Sequence, residues 1–294
     1  MKAKTMRLIS VLLAVCLLCT FLLPAFAADD PNVYKSEGIY LAGGEDPYPF
    51  TTTVTFDPAS GRLTIDEAKG NIISIQNTAD FISWIKTVAV GVKTVYITKN
   101  SIVSHFSNNN SLADYPFNQA FAYLSNLERF EVEEGNTEVE AIDGVLFSRT
   151  FTTLIHYPAA KPNKSYKIPE SCMQGLEPYA ICNTKYLERL EFPSARSSLT
   201  YFDMEKYSLS AVDLETGEPQ QSSIKQIVFH GTEEQFMNIA RFNEGNNVVD
   251  QAEIIYDTPS AKQSFLDFFR VTIPSYFRMM INSFRQIIQV LTGR

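Results

Sequence analysis

Histidine is scarce in this chain. Only His105, His156 and His230 occur, and none has a carboxylate, a cysteine or a second histidine at metal-ligand spacing, so the usual zinc patterns are absent. No serine stands in a Gly-x-Ser-x-Gly elbow, and no phosphate-binding glycine loop is present. The spaced Asp/Asn ligands and central glycine of a dedicated calcium loop are missing too. Positive charge is also short. With 25 Lys+Arg against 33 Asp+Glu the formal charge is −8, a balance that argues against wholesale nucleic-acid binding. Cysteine numbers four, and Cys16 and Cys19 fall inside the one uninterrupted apolar run near the start.

That run covers residues 8–23, follows Lys2, Lys4 and Arg7, and is closed by Pro24 and Ala25-Phe26-Ala27. A charged start, an apolar middle and a small-x-small end form a secretory signal, with cleavage expected after Ala27. The run is shorter than the roughly 20 residues a spanning helix needs, which weighs against a membrane anchor. Export would remove three positive charges and no negative ones, taking the chain to −11. Only Cys172 and Cys182 would then remain. Ten residues apart, they can form one disulfide in an oxidising compartment or serve as two small buried side chains.

What is present suffices for a fold: 294 residues, 45% apolar and 20% charged. Its organising feature is an echo. Leu127-Glu128-Arg129-Phe130-Glu131-Val132 returns as Leu187-Glu188-Arg189-Leu190-Glu191-Phe192, and each is preceded at the same distance by an apolar pair, Ala120-Phe121 or Ala180-Ile181. Related β-rich runs begin at 92 and 224, leaving gaps of 35, 60 and 37 residues between the four starts. Internal recurrence of this kind predicts a stack in which each unit borrows apolar cover from its neighbours, with short parallel strands as rungs.

Residues 28–50, with Gly43-Gly44, Asp46-Pro47 and Pro49, read as an irregular leader. Residues 51–90 read as a β-rich cap. Val54 and Phe56 alternate before the turn residues 57–61, Leu63 and Ile65 alternate after them, and a strand is expected near Ile72, Ile73 and Ile75. A helix capped by Thr78 would carry Phe81, Ile82, Trp84 and Ile85. The repeats would occupy residues 91–258. Residues 98–119 and 196–223 are longer and more polar than a compact unit needs, so loops leaving the rungs are expected there, where binding specificity is often placed.

Asp143-Gly144-Val145-Leu146-Phe147-Ser148, then Thr153-Leu154-Ile155-His156-Tyr157-Pro158 and Tyr166-Lys167-Ile168-Pro169, closely resembles the BspA-like leucine-rich repeats of bacterial secreted and surface proteins. Residues 231–256, with Gly231-Thr232-Glu233-Glu234-Gln235-Phe236 and Gly245-Asn246, resemble the unit that closes such arrays, Phe236 standing where tryptophan is usual. The resemblance spans residues 51–257. It implies an α/β repeat solenoid without enzymatic activity or cofactor, acting in adhesion or surface interaction with a protein or glycan. His156 then falls at a solvated rung position where the family has a basic residue, and His230 at a turn.

The tail, 259–294, breaks the pattern. Phe265 and Phe269 precede Ile273, Phe277, Ile281, Phe284, Ile288 and Leu291, with Arg278 and Arg285 on the other side, an amphipathic helix of about 17 residues past Pro274. Lys262, Arg270, Arg278, Arg285 and Arg294 against Asp267 give it a charge of +4, on a mature remainder of −15. Such a helix can lie on an anionic membrane or envelope, cover the last rung of its own stack, or meet a partner helix. A different chemistry is also open to the chain. Glu131, Glu133, Glu134, Glu138 and Glu140 could supply paired acids for glycan hydrolysis, although their alternation with Val132 and Val139 reads as the solvated face of a half-buried rung.

Overall fold

The computed structural model describes residues 30–40, 48–67, 75–103, 116–149, 152–172, 174–193, 202–242 and 244–257. The expected export leader and the expected tail helix both lie outside these residues. Elements run β1 (Val33–Tyr40), β2 (Tyr48–Asp57), β3 (Arg62–Asp66), α1 (Ile75–Val88), β4 (Thr94–Ile97), α2 (Pro116–Ala122) and β5 (Arg129–Val132). The strands form one sheet in the order β1-β2-β3-β4-β5.

Alternation dictates this sheet. β2 and β3 make the expected antiparallel hairpin, and β3, β4 and β5 then continue in parallel. Phe56, Leu63, Val95 and Phe130 are register partners along one inward column, and all four are buried. Each large apolar side chain removed from water contributes about 1.5–3 kcal/mol, so such columns outweigh anything on the outer face. Phe81, Ile82 and Ile85 of α1 close the core from beneath, and a chain of ring contacts runs Tyr34, Phe81, Phe117, Phe121, Phe130 with centroids 5.1–6.1 Å apart. Two expectations change here. β1 occupies part of the leader read as irregular, and α1 already includes Ile75, so Thr78 is a buried residue within the helix rather than its cap.

β6 (Val139–Ile142) and β7 (Val145–Ser148) pair antiparallel around Asp143-Gly144, both at positive φ (49° and 74°), the backbone that a two-residue hairpin turn demands. β8 (Thr153–His156) pairs antiparallel with β7 and opens a parallel series. After it come β9 (Ser165–Lys167), β10 (Gly175–Leu176), β11 (Ile181–Cys182), β12 (Arg189–Glu191), β13 (Phe202–Met204), β14 (Leu209–Ser210) and β15 (Gln226–Phe229). The last elements are α3 (Glu233–Ile239), β16 (Ala240–Phe242), α4 (Val248–Gln251) and β17 (Glu253–Tyr256). Parallel ladders join β8-β10-β13-β16, β9-β12-β15-β17 and β11-β14. The chain therefore returns to these ladders in succession, with β11-β14 contributing only two strands. Leu190 and Ile227, register partners in the second of these, are wholly buried.

The four β-rich runs thus fall into two ladders, β4 beside β5 and β12 beside β15, rather than one. Residues 196–223 are not simply loop: β13 and β14 are rungs, and Phe202, Met204 and Leu209 are buried. The α/β description gives way to a predominantly β architecture with a few short helices. α3 starts with a reciprocal cap, in which Thr232 N–H donates to Gln235 Oε1 (2.9 Å) and Gln235 N–H donates to Thr232 Oγ1 (3.2 Å).

Turns between rungs are held by asparagine. Asn136 donates to the Thr98 and Ser101 carbonyls and accepts from the Glu138 and Val139 N–H groups, all at 2.8–2.9 Å. Asn246 does the same work for the Met204 and Glu205 carbonyls (3.2 and 2.9 Å) and the Leu209 N–H (2.7 Å). Backbone groups turned inward at these bends would otherwise carry a desolvation cost of about 1–3 kcal/mol each.

Candidate functional site

The outer face of the first sheet carries the side chains that alternate with the core columns. Tyr96 is the register partner of both Thr64 and Glu131, and Arg62 and Arg129 are both partners of Thr94. The Arg62 guanidinium lies 3.9 Å from the centre of the Tyr96 ring. It also stands 3.9 Å from Glu131, whose other oxygen is 2.9 Å from Arg129 Nε. These contacts are worth little energetically, about 1 kcal/mol or less each at such exposure. They bring an aromatic ring and two guanidinium groups together on the outer face of adjacent strands.

The outer face of β9-β12-β15-β17 is polar in a more continuous way. Arg189 donates to Gln226 Oε1 (3.1 Å), and Gln226 donates to Glu253 Oε2 (3.0 Å), a hydrogen-bonded row across three rungs. Beside it Lys167 Nζ bridges Glu170 (3.0 Å) and Glu191 (3.2 Å), and His230 sits between Glu191 (3.0 Å) and Asp257 (3.4 Å). Burial alone would raise the Glu191 carboxyl, but the hydrogen bonds from His230 and Lys167 outweigh it and hold the group below its ordinary range. Glu191 is thus a fixed counter-ion, the opposite of a proton donor.

A column of alternating charge marks the edge of both ladders. Lys93 N–H donates to the Gly61 carbonyl and Glu128 N–H to that of Lys93; farther on, Glu188 donates to Lys164, Lys225 to Glu188 and Glu253 to Lys225. Lysine and glutamate thus take turns at one backbone position, and Lys164 and Glu188 approach to 3.2 Å. Opposite charges on adjacent rungs favour this register and disfavour a slipped one.

Four of the five acids singled out in the sequence each have a different partner. Glu131 meets the two arginines, Glu133 accepts from the Lys99 N–H (2.8 Å), Glu138 accepts from the Thr137 hydroxyl (3.1 Å) and Glu140 pairs with Arg149 (3.3 Å). Two other carboxyls are held toward the protonated form. Glu177 is pushed up to about 8 by burial, and half-buried Glu205 is raised by burial and by Asp203. The resemblance implied a solvated His156, but the residue is 1% exposed, with ring centroids of Phe121 and Phe130 each 5.7 Å away. Cys172 and Cys182 are free, buried in different apolar clusters, and burial pushes both thiols up to about 12. Every tail residue from Phe265 to Ile288 that was singled out falls outside the described residues, among which no helix is long and apolar enough to cross a membrane.

No protein-family model matches the chain, and no curated protein matches it either. Two solved structures resemble it. A leucine-rich repeat protein from Eubacterium ventriosum is 22% identical, with a TM-score of 0.33, over 47% of this chain and 30% of that one. The pneumococcal vaccine antigen PcpA is 17% identical, with a TM-score of 0.28, over 57% of this chain and 56% of that one. The chain therefore spans about a third of the first and just over half of the second.

Proposed function

We propose that the chain is an exported, non-enzymatic recognition protein of the BspA-like leucine-rich-repeat type. In this reading its successive circuits form a solenoid, and the outer faces of the ladders bind a protein or glycan at the cell surface. The parallel ladders and the Asp143-Gly144 hairpin support the repeat assignment, and the leader at 1–27 supports export. The observation that carries the binding assignment is the arrangement of Arg62, Tyr96, Glu131 and Arg129 on one rigid outer face. Tryptophan, tyrosine and arginine are the side chains most enriched among those that dominate binding energy.

The test is a binding screen of the chain from residue 28 against immobilised glycans and extracellular matrix proteins, repeated with Tyr96→Ala and Arg129→Ala. Each substitution is expected to weaken capture by about 30-fold, corresponding to about 2 kcal/mol, with an unchanged thermal melt. Capture that survives both would place recognition elsewhere. Glycan hydrolysis is a second reading with one observation in its favour, the raised Glu205 carboxyl two residues from Asp203 on β13. Release of sugar from the same glycans, abolished by Glu205→Gln, would establish it.

A further inference from the structure

The last circuit is less well covered than those before it. Ile254 is the register partner of Ile227, yet Ile227 is wholly buried while Ile254 is only half-buried, as are Ile255 and Tyr256 beside it. Among the described residues β17 ends its ladder. Nearby, Met237 of α3 is 62% exposed, and Phe236, one residue before it, packs on Tyr256 with ring centroids 6.3 Å apart. Around this apolar end stand the exposed acids Glu233, Glu234, Glu253 and Asp257. A stack lacking its next unit presents this kind of surface: apolar along the rung, charged at the rim.

We propose that residues 265–291 of the same chain dock on this end and act as its cap. Charge complementarity favours this occupant, since residues 262–294 carry +4 and residues 28–261 carry −15. The sequence pattern also fits, placing Phe277, Ile281, Phe284 and Ile288 along one side of a helix and Arg278 and Arg285 off that side. Distance is no obstacle. Residues 258–264 can span up to about 24 Å, whereas a four-residue rung is about 13 Å long, so the chain can turn back along β17.

Hydrogen exchange on the whole chain from residue 28 tests the proposal. Replacing Phe277, Ile281 and Phe284 together by Asp is expected to speed exchange at the β17 amides about tenfold or more, while β4 and β5 amides stay unchanged and report an intact fold. Unchanged β17 exchange in the variant would overturn the proposal. So would β17 protection that rises with protein concentration, because the occupant would then be a second copy. Sedimentation of the parent with vesicles of mixed neutral and anionic phospholipid, with β17 exchange equal in parent and variant, would assign the tail to a lipid surface instead.

Discussion

Stability is expected to be nearly flat between about pH 4.5 and pH 6.5, and to fall on either side, because two buried groups with opposite pH responses flank one turn. Glu177 is 5% exposed; Asn118 of α2 donates to its Oε2 (2.8 Å), and its Oε1 has no hydrogen-bond partner. Burial raises this carboxyl from 4.5 to about 8. The folded state therefore holds a proton that the unfolded chain releases above pH 4.5, and stability drains away until the pH passes about 8. His156, hydrogen-bonded to the backbone of Tyr179, is lowered by burial from 6.5 to about 3. Here the unfolded chain takes up a proton that the fold refuses, so stability drains away as pH falls from 6.5 to about 3. Between the two unfolded values the slopes cancel.

Substitution separates them. In Glu177→Gln the histidine slope is uncovered and stability should rise between pH 4.5 and 6.5. In His156→Leu the glutamate slope is uncovered, so stability should fall across the same interval. Each group contributes about 5 kcal/mol over its full window. The leucine variant also carries a pH-independent loss, since the Tyr179 backbone group forfeits its partner. Urea melts of the three proteins at half-unit pH steps check this, and three parallel profiles would refute it. Glu191, held below its ordinary range, adds a loss as pH falls, and Glu205, raised by burial, adds one as pH rises above its unfolded value; all three proteins share both.

Gly175→Ala is expected to cost more than about 4 kcal/mol, the range reserved for substitutions with a specific steric cause. Gly175 lies in β10 between β8 and β13 at φ 141°, and a Cβ built there falls on the Asp203 carbonyl oxygen, with the carbonyl carbon at 2.7 Å. Backbone cannot step aside without parting the ladder. Gly135→Ala is the control. Its φ of 94° is also positive, but nothing lies within 4 Å of the added methyl, so strain of about 1–3 kcal/mol is all it should cost. Denaturant melts that place the two variants together would mean the ladder at β10 is not as tightly joined as described.

Much of this was legible in the residues, for reasons specific to each. The hairpin at Asp143-Gly144 was not read there, although few other pairs accept two positive φ values, whereas Leu127 and Leu187 held their places because both are wholly buried. The apolar pairs before them kept register but not conformation. Ala120-Phe121 lies in α2, whereas Ala180-Ile181 lies at a turn entering β11.

A second echo escaped notice. Glu177-Pro178-Tyr179-Ala180 and Glu205-Lys206-Tyr207-Ser208 are equivalent turns, with both tyrosines at φ 58° and their rings stacked 5.4 Å apart, and the second of them lies inside residues 196–223, read as loop for their polarity. The alternating lysines and glutamates were hidden for another reason: taken singly, each is an ordinary solvated charge. Only the pairing of the strands, at unequal spacing along the chain, sets them beside one another in each ladder.

The most direct measurement of in-register stacking is cysteine cross-linking on the outer face. Tyr96 and Glu131 are register partners on adjacent parallel strands, a separation of about 4.8 Å that a disulfide can bridge. Tyr96→Cys with Glu131→Cys should oxidise readily in the folded chain, while Tyr96→Cys with Phe130→Cys should not, because Phe130 faces the core. Efficient bonding of the second pair, or none in the first, would contradict the stack and the outer face built on it.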